Sequence, residues 1–478
     1  MKRILSYTVA CLSVAFMGGC LNYTPPPVET ESDTFTKQKK DARVVLPPDT
    51  RMLTLETAQE LSVANNPSFE SQYHAVQAAW DAYRQRFSAY MPTVNANYGY
   101  TQNIDKPTDI TNVTKNDTDN RVNNLGMTSS LLLFDGLQRE MKLLQAKHQA
   151  LGEEAVREDS RRLLLKSVAE AYNNILLAIE KNRIAITDRD FQLKQLKDAQ
   201  YKYEAGAVPL SDVLNFKVKV NQATSNQISA EYNFNFSRYL LAGLMGITAS
   251  TLPESLKYSP IDAIPEETLP DINIYLDMAL NNRPDLRNYR ETLQAAKYQL
   301  YTNWGAYSPT ASLNAGMGYS TNLTRNDGRN GNDPVGHTYY NDRNYNWGVS
   351  SQWVIFNGFS RELQIRQAQS LVYKAEFNVA SQWITVIKEV RTSYDTYLQN
   401  VKQAKLYKET LALVTKQRDL VEEEYKAGNK ELTRLNEAQR DLVEAETNLV
   451  IALVNVMNAR AQLESATNSN QIGASVKK

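Results

Sequence analysis

The sequence predicts a mainly α-helical fold with a membrane β-barrel contribution: a duplicated half-repeat of long coiled-coil helices, with four barrel strands per chain. Three observations predict it. The chain is written twice: "NNPSFESQYHAVQAA" (65–79) returns as "NNRPDLRNYRETLQAA" (281–296), "AYMPTVNANYGY" (89–100) as "AYSPTASLNAGMGY" (306–319), and "LLLFDGLQRE" (131–140) as "WVIFNGFSRE" (353–362). Short stretches in each half alternate apolar and polar residues. Helical pattern then runs from "FDG" at 134–136 to 204, and from "FNG" at 356–358 to 426. The copies stand about 220 residues apart, far beyond the unit of a solenoid.

Each half reads helix, strand, strand, very long helix, break and returning helix. Thr54-Leu55-Glu56 opens the first helix, and Asn66-Pro67 marks a kink or break, because proline removes a donor and fixes φ. Met91-Pro92 ends that pattern, since the residue before a proline is pushed out of helical geometry. Val94, Ala96, Tyr98 and Tyr100 then alternate with Asn95, Asn97 and Gly99. Leu313, Ala315, Met317 and Tyr319 alternate with Ser312, Asn314, Gly316 and Gly318, and Tyr345, Trp347, Val349, Trp353 and Ile355 with Asn346, Gly348, Ser350 and Gln352. An apolar, aromatic face opposite a small polar one fits a membrane barrel whose polar side lines a lumen, although a half-buried soluble strand shows the same period.

The strands are expected over 93–104, 122–134, 310–321 and 343–356, with the Asn/Asp/Thr/Gly-rich stretches 102–121 and 321–343 as exposed loops. Four strands cannot close by themselves, since useful barrels need about eight, and lipid cannot satisfy open sheet edges. The strand count therefore implies an oligomer. Three copies would give roughly twelve strands, a size wide enough to leave an aqueous lumen.

Each outgoing helix is on the order of 100 Å long if unbroken. The returning helices carry a heptad seam: Leu442, Ala445, Leu449, Ala452, Val456 and Ala459, with Val220, Ala223, Gln227 and Ala230 at the matching positions of the first half. Gln227 is the polar exception. Between outgoing and returning helices stand "YEAGAVPLSDVL" (203–214) and "YKAGNKELTRLN" (425–436). Tyr203 with Gly206, and Tyr425 with Gly428, mark turns at 205–210 and 427–432, where glycine supplies the backbone freedom. The repeats span 53–247 and 271–467, joined by a Pro-containing connector at 248–270 and followed by a tail at 468–478.

The N-terminus "MKRILSYTVACLSVAFMGGC" has two cations, an apolar run too short to span a bilayer, and small residues at its end, so 1–19 reads as an export signal. Gly18-Gly19-Cys20 resembles the lipobox of bacterial lipoproteins, which implies lipidation of Cys20. A plain secretory signal with an incidental cysteine is the competing reading. Leu21 stands where an aspartate would retain such a lipoprotein in the inner membrane, so the resemblance implies the outer membrane. Residues 20–52, Pro-rich at both ends, suit an extended tether. Cleavage leaves Cys20 as the one cysteine, which excludes a disulfide framework and a cysteine zinc site. No later stretch reads as a transmembrane helix.

The 53 basic and 53 acidic side chains cancel, giving no reason to expect a nucleic-acid partner. An enzyme is not expected either. His74, His148 and His337 have no metal-ligand spacing, and no phosphate-binding loop, nucleophile elbow or Cys/His pair occurs. No catalytic residue, cofactor or metal is therefore assigned.

Helix, hairpin, long helix, Tyr-x-x-Gly turn and helix, twice over, resemble the TolC-type outer-membrane efflux proteins. The motifs that carry this are "LTLETAQELSVANNP", "AYMPTVNANYGY", "LLLFDGLQRE" and "YEAGAVPLSDVL" with their second-half echoes, from Leu53 to Leu463. The resemblance implies a homotrimer in outer-membrane lipid, with a helical tunnel that docks on a periplasmic adaptor (membrane fusion protein) and an inner-membrane transporter. Passage would be passive, in efflux or, alternatively, in type I protein secretion. It also places the two turns at the periplasmic tip, where members carry acidic rings. Here those positions hold Arg434 and Glu437, against Asp212 and Asn215 in the first half, so the acidic gate is not carried over. Arg434 can pair with Asp212 or with Glu437, or stand exposed; the hypothesis is an inter-repeat salt bridge of Arg434 with Asp212 that holds the tip closed. The rival class is a periplasmic coiled-coil scaffold lipoprotein, which leaves the amphipathic strands unexplained.

Overall fold

The computed structural model describes residues 52–105, 116–247, 249–265, 269–328 and 336–469. The expected signal, Cys20, the tether before Met52 and the tail from 470 lie outside the described residues. In chain order the elements are β1 (Met52–Leu53), α1 (Leu55–Asn65), α2 (Pro67–Gln85), a 3-10 turn (Arg86–Tyr90), β2 (Thr93–Asp105), β3 (Asn116–Phe134), α3 (Gln138–Glu204) and α4 (Leu210–Leu244). The second half adds β4 (Lys257–Tyr258), α5 (Ile272–Asn282), α6 (Pro284–Gly305), β5 (Thr310–Gly328), β6 (Gly336–Gln352), α7 (Ser360–Lys426) and α8 (Leu432–Thr467). The chain divides into two compact units. One takes Ser71–Leu163, Glu267–Thr396 and the residues from Gln462; the other takes Leu164–Glu266, Tyr397–Ala461 and the residues up to Glu70.

In the first of these, β2, β3, β5 and β6 form one antiparallel sheet in that order. Its register puts like with like. Leu131, Leu313 and Val349 stand in one row; Val94, Ser129, Ala315 and Trp347 in the next; then Ala96, Met127, Met317 and Tyr345; then Tyr98, Leu125, Tyr319 and Arg343. Four rows two residues apart make an apolar band about 20 Å tall along the strands. Rows on the opposite face read Asn95, Thr128, Gly316, Asn346 and Asn97, Gly126, Gly318, Asn344. The glycines there are a packing requirement: a Cβ at Gly318 would sit 2.2 Å from the Asn344 side chain.

Five strand limits differ from the sequence expectation, in two ways. Strand pairing continues into the stretches read as loops, up to Asp105, down to Asn116, up to Gly328 and from Gly336, because polar hairpins above the band keep their ladders without an apolar face to mark them. The last strand ends at Gln352 and not at 356. Trp353, Val354, Ile355 and Phe356 follow it as exposed residues outside the strand, and none of the described strands forms a ladder with them.

The same unit holds a buried ion network. The Arg283 side chain is 2% exposed and donates to both Asp285 oxygens (3.0 and 2.5 Å), to Glu389 (2.6 Å) and to the Ala466 carbonyl. Gln382 and the Leu286 N–H also donate to Asp285. Around it Tyr275, Ala279, Val386, Val390, Leu463 and Ala466 form a core.

The other unit packs α1 and the end of α4 against α3. Leu53, Leu61, Val168, Tyr172, Ile175, Leu241 and Met245 form its main core. Thr54 caps α1 by accepting from Thr57 N–H. Asn66 is extended, as a residue before proline must be, and its Oδ1 caps the next helix by accepting from Phe69 N–H, so Asn66-Pro67 is a break between two helices. The connector is more than a linker: Lys257–Tyr258 pairs in parallel with Met52–Leu53, and Tyr172 Oη bridges Leu53 O and Ser259 N.

Hydrogen bonds order the long helices of this unit as α4, α3, α8, α7. Arg189 on α3 donates to Gln227 on α4, which explains the polar exception in the seam. Asn173 and Asp188 on α3 bond to Asn458 and Gln439 on α8, and Asn400 on α7 bonds to the Asn455 carbonyl on α8. The α8 seam is buried at Leu442, Ala445, Ala452, Val456 and Ala459, while Leu449 is half-buried. Against the sequence expectation, α8 contains a window long and apolar enough to cross a membrane by composition. Its buried Val450, Val454, Val456 and Leu463 account for that composition as helix packing.

Candidate functional site: hairpin tips and strand-to-helix clamps

The two tip turns have one geometry. After α3, Gly206 takes φ +72°, its N–H donates to Tyr203 O, and Ala207 N–H donates to Lys202 O. After α7, Gly428 takes φ +79°, its N–H donates to Tyr425 O, and Asn429 N–H donates to Glu424 O. These are Schellman motifs, in which a left-handed residue lets the last carbonyls of a helix be capped. The returning helices start alike, with Asp212 N–H donating to Pro209 O and Arg434 N–H to Glu431 O. Asp212 and Arg434 thus hold matched positions with opposite charge.

Around this shared frame the side chains differ. Tyr203 is exposed, whereas Tyr425 packs, as Phe191 does, on the cluster of Val421, Leu435 and Ala438, with the Lys202 ammonium 4.9 Å from its ring centroid. Burial, then the charges of Asp212 and Asp198, push the Tyr425 hydroxyl above its ordinary pKa. Of the two partners open to Arg434, the structure gives it Glu437 and not the Asp212 of the hypothesised inter-repeat bridge. Arg434 Nη1 donates to Glu437 Oε2 at 3.1 Å, one turn along its own helix, and no Asp212–Arg434 pair forms among the described residues. Helical i,i+3 spacing gives Glu437 the shorter reach. Asn215 is exposed. Arg434 also lines a groove of about 410 Å³ with Leu413, Lys416, Leu420, Glu424 and Lys430.

A second duplicated device joins strand to helix. Gly136 and Leu137 are both left-handed (φ +71° and +65°), as are Gly358 and Phe359 (φ +67° and +63°). A left-handed conformation costs a non-glycine residue roughly 1–2 kcal/mol, so something must hold Leu137 and Phe359. Arg139 donates to the carbonyls of Leu132, Leu133 and Ala89 and lies 4.8 Å over the Tyr90 ring. Arg361 repeats this on the carbonyls of Ile355 and Ala306 and the ring of Tyr307, again at 4.8 Å. The arginines fasten the strand ends to the helix starts. The sequence carried the signal in the repeated Arg-Glu of "LQRE" and "FSRE" and the Tyr of "AYMP" and "AYSP", but nothing in it joins residues fifty positions apart. Gly136 further allows a backbone crossing, since a Cβ there would lie 2.4 Å from the Gly305 carbonyl oxygen.

The sequence profile of the outer membrane efflux protein family matches residues 59–246 and 275–469, one match for each half. The chain belongs to the outer membrane efflux protein family. Among its relatives, the outer membrane protein TolC of Escherichia coli is 24% identical over 72% of this chain and 71% of its own. The alkaline protease secretion protein AprF of Pseudomonas aeruginosa is 22% identical over 77% and 74%, and the outer membrane efflux protein BepC of Brucella suis 23% identical over 88% of each. The solved outer-membrane channel OprN superposes with a TM-score of 0.72 at 18% identity, covering 91% of each chain. CmeC of Campylobacter jejuni gives 0.72 at 15% identity over 86% and 85%. This efflux protein therefore has the channel fold of long tunnel helices with membrane strands, and its place is the outer membrane. It is a channel component.

Proposed function

We propose that three copies of this efflux protein close one twelve-stranded barrel and, docked on a periplasmic adaptor and an inner-membrane transporter, give substrates passive passage across the periplasm and outer membrane. The observation that carries this is the sheet: one apolar face, one polar face and two free edges, at β2 and β6. The helices support it in the same way. The outer members of their row expose apolar stripes, Val218, Ile228 and Tyr232 on α4 and Leu406, Leu413 and Leu420 on α7, as faces that neighbouring copies cover. Lipid on Cys20 would add an anchor in the same membrane. The energy comes from the transporter.

At the periplasmic mouth, three copies present three Arg434–Glu437 pairs and three Asp212 carboxylates in a ring. Arg434 narrows and charges that mouth, in the way rings of charged side chains control other pores. The purified protein in a planar bilayer should conduct, and Arg434→Ala should raise its single-channel conductance. A conducting parent with an unchanged variant contradicts the role of Arg434; a parent that forms no channel contradicts the function. Protein secretion is the second reading, favoured by the likeness to AprF, which is named for the secretion of a protease.

A further inference from the structure

The duplication fixes more than the fold of one chain. The two hairpins have the same register: Thr93 pairs with Ser130 and Thr310 with Gln352, and Asn95 with Thr128 and Ser312 with Ser350. Within the barrel segment, therefore, β2 maps onto β5 and β3 onto β6 without slippage. The contact between the halves, β3 on β5, is then a template for the one contact the chain leaves open, β6 on the β2 of another copy. Both edges are free, and both face the same pair of environments.

We infer the register of that inter-chain seam. Leu131 pairs with Leu313, which maps to Trp353 opposite Ala96 of the next copy. Ser129 with Ala315 maps to Ser351 opposite Tyr98, Met127 with Met317 to Val349 opposite Tyr100, and Thr128 with Gly316 to Ser350 opposite Gly99. The mapped register keeps the faces matched: Val349, Trp353, Tyr100 and Ala96 all fall on the apolar side, and Ser350 and Gly99 on the polar side. A slip of one residue would reverse one strand's faces against the other's, so the alternatives are slips of two. Large residues also meet small ones, as in Trp353 against Ala96, and the β-branched Val349 meets the ring of Tyr100, a favourable cross-strand pair.

The template also accounts for the segment after Gln352. Phe134 pairs with Ala311 past a bulge at Leu133, so Phe356 maps opposite Val94 of the next copy, with the bulge at Ile355. Trp353, Val354, Ile355 and Phe356 are 62%, 46%, 78% and 70% exposed in the single chain because their strand partner is a second copy of this chain. Residues 353–356 join the sheet on assembly.

This inference rests on the barrel proposed above, and cysteine pairing separates the two. Val349→Cys with Tyr100→Cys, and Ser350→Cys with Gly99→Cys, sample both kinds of antiparallel pair, of which the non-hydrogen-bonded kind brings Cβ atoms closer. After mild oxidation of membranes carrying the full-length chain, at least one of these pairs should give disulfide-linked ladders ending in a covalent trimer, absent from the parent and the single-cysteine variants. The slipped pairs, Val349 with Tyr98 or Gln102 and Ser350 with Asn97 or Thr101, should link at least tenfold less. Preferential linkage of a slipped pair overturns the register and leaves the barrel standing. Membrane-inserted variants in which no pair links overturn both. The Ser350/Gly99 substitutions are small and lie on the polar face, so insertion is retained even if the loss of Tyr100 impairs folding.

Discussion

Trp347→Arg is expected to abolish assembly in the outer membrane, while Asn346→Arg, one residue away, leaves it intact. The two side chains stand on opposite faces of β6. Trp347 shares a row with Val94, Ser129 and Ala315 in the apolar band and is 82% exposed in the chain alone. Asn346 stands in a row with Asn95, Thr128 and Gly316. An arginine toward lipid near the midplane of a barrel costs about 2–4 kcal/mol. Three copies bear it at once, so the assembled barrel loses on the order of 10 kcal/mol, comparable with the whole stability margin of a typical domain. The arginine at 346 meets water in the lumen instead. Membrane fractionation of the two variants measures this directly. A soluble scaffold would tolerate both substitutions, so equal amounts in the outer membrane would contradict the assignment of faces.

Arg283→Ala should cost roughly 3–5 kcal/mol per chain, the usual effect of breaking a buried ion pair by removing one partner. Here the remaining partners are Asp285, 15% exposed, and Glu389. Burial opposes ionisation of Asp285, but the hydrogen bonds and charge of Arg283 outweigh it and hold the carboxyl below the usual carboxylate range. The sign follows. A depressed folded-state pKa contributes stability that is present above the unfolded value, about 3.9, and is lost as pH falls through the folded value. The parent therefore loses this contribution on acidification. In Arg283→Ala a buried carboxylate lacks its counter-ion, so acidification toward about pH 4 should recover part of the loss. Asp285→Ala added to Arg283→Ala should be less destabilising than the single arginine variant, because it removes the uncompensated charge. Urea unfolding followed by helical circular dichroism, at pH 7 and pH 4.5, reads both. A loss under about 1 kcal/mol at pH 7 would mean that the network contributes no more than a surface pair.

These cases show which kinds of information the sequence carried. The strands were legible because Val94 to Tyr100 and Leu313 to Tyr319 alternate with period two, and the helices because their seam repeats. Their limits were not. Asn116 to Arg121 are polar on both faces, and Gly336 to Asp342 put one tyrosine on each face (Tyr339 and Tyr340), so the ladder continues where the alternation has stopped. The expected strand end at 356 is not reached in the single chain, which on the proposed seam would need a second copy. Two-residue parallel strands such as Met52–Leu53 with Lys257–Tyr258 have no periodicity to read.

The tip turns were legible because Gly206 and Gly428 recur in the same setting, and their positive φ is the reason. The partner of Arg434 was not, since Asp212 and Glu437 both carry a carboxylate beyond a tip glycine and only the fold decides between them. The Arg139 and Arg361 clamps were missed for a related reason: each joins a helix start to a tyrosine that precedes the hairpin, and side-chain direction at that distance is set by the folded sheet.

The central claim is that one chain supplies a third of a closed barrel. The mass of the intact assembly, released from outer-membrane detergent extract and measured by native mass spectrometry, tests it most directly. Three chains per particle are predicted, with neither free monomer nor dimer as the stable species. A particle of one, two or four chains that is stable in detergent would contradict the account.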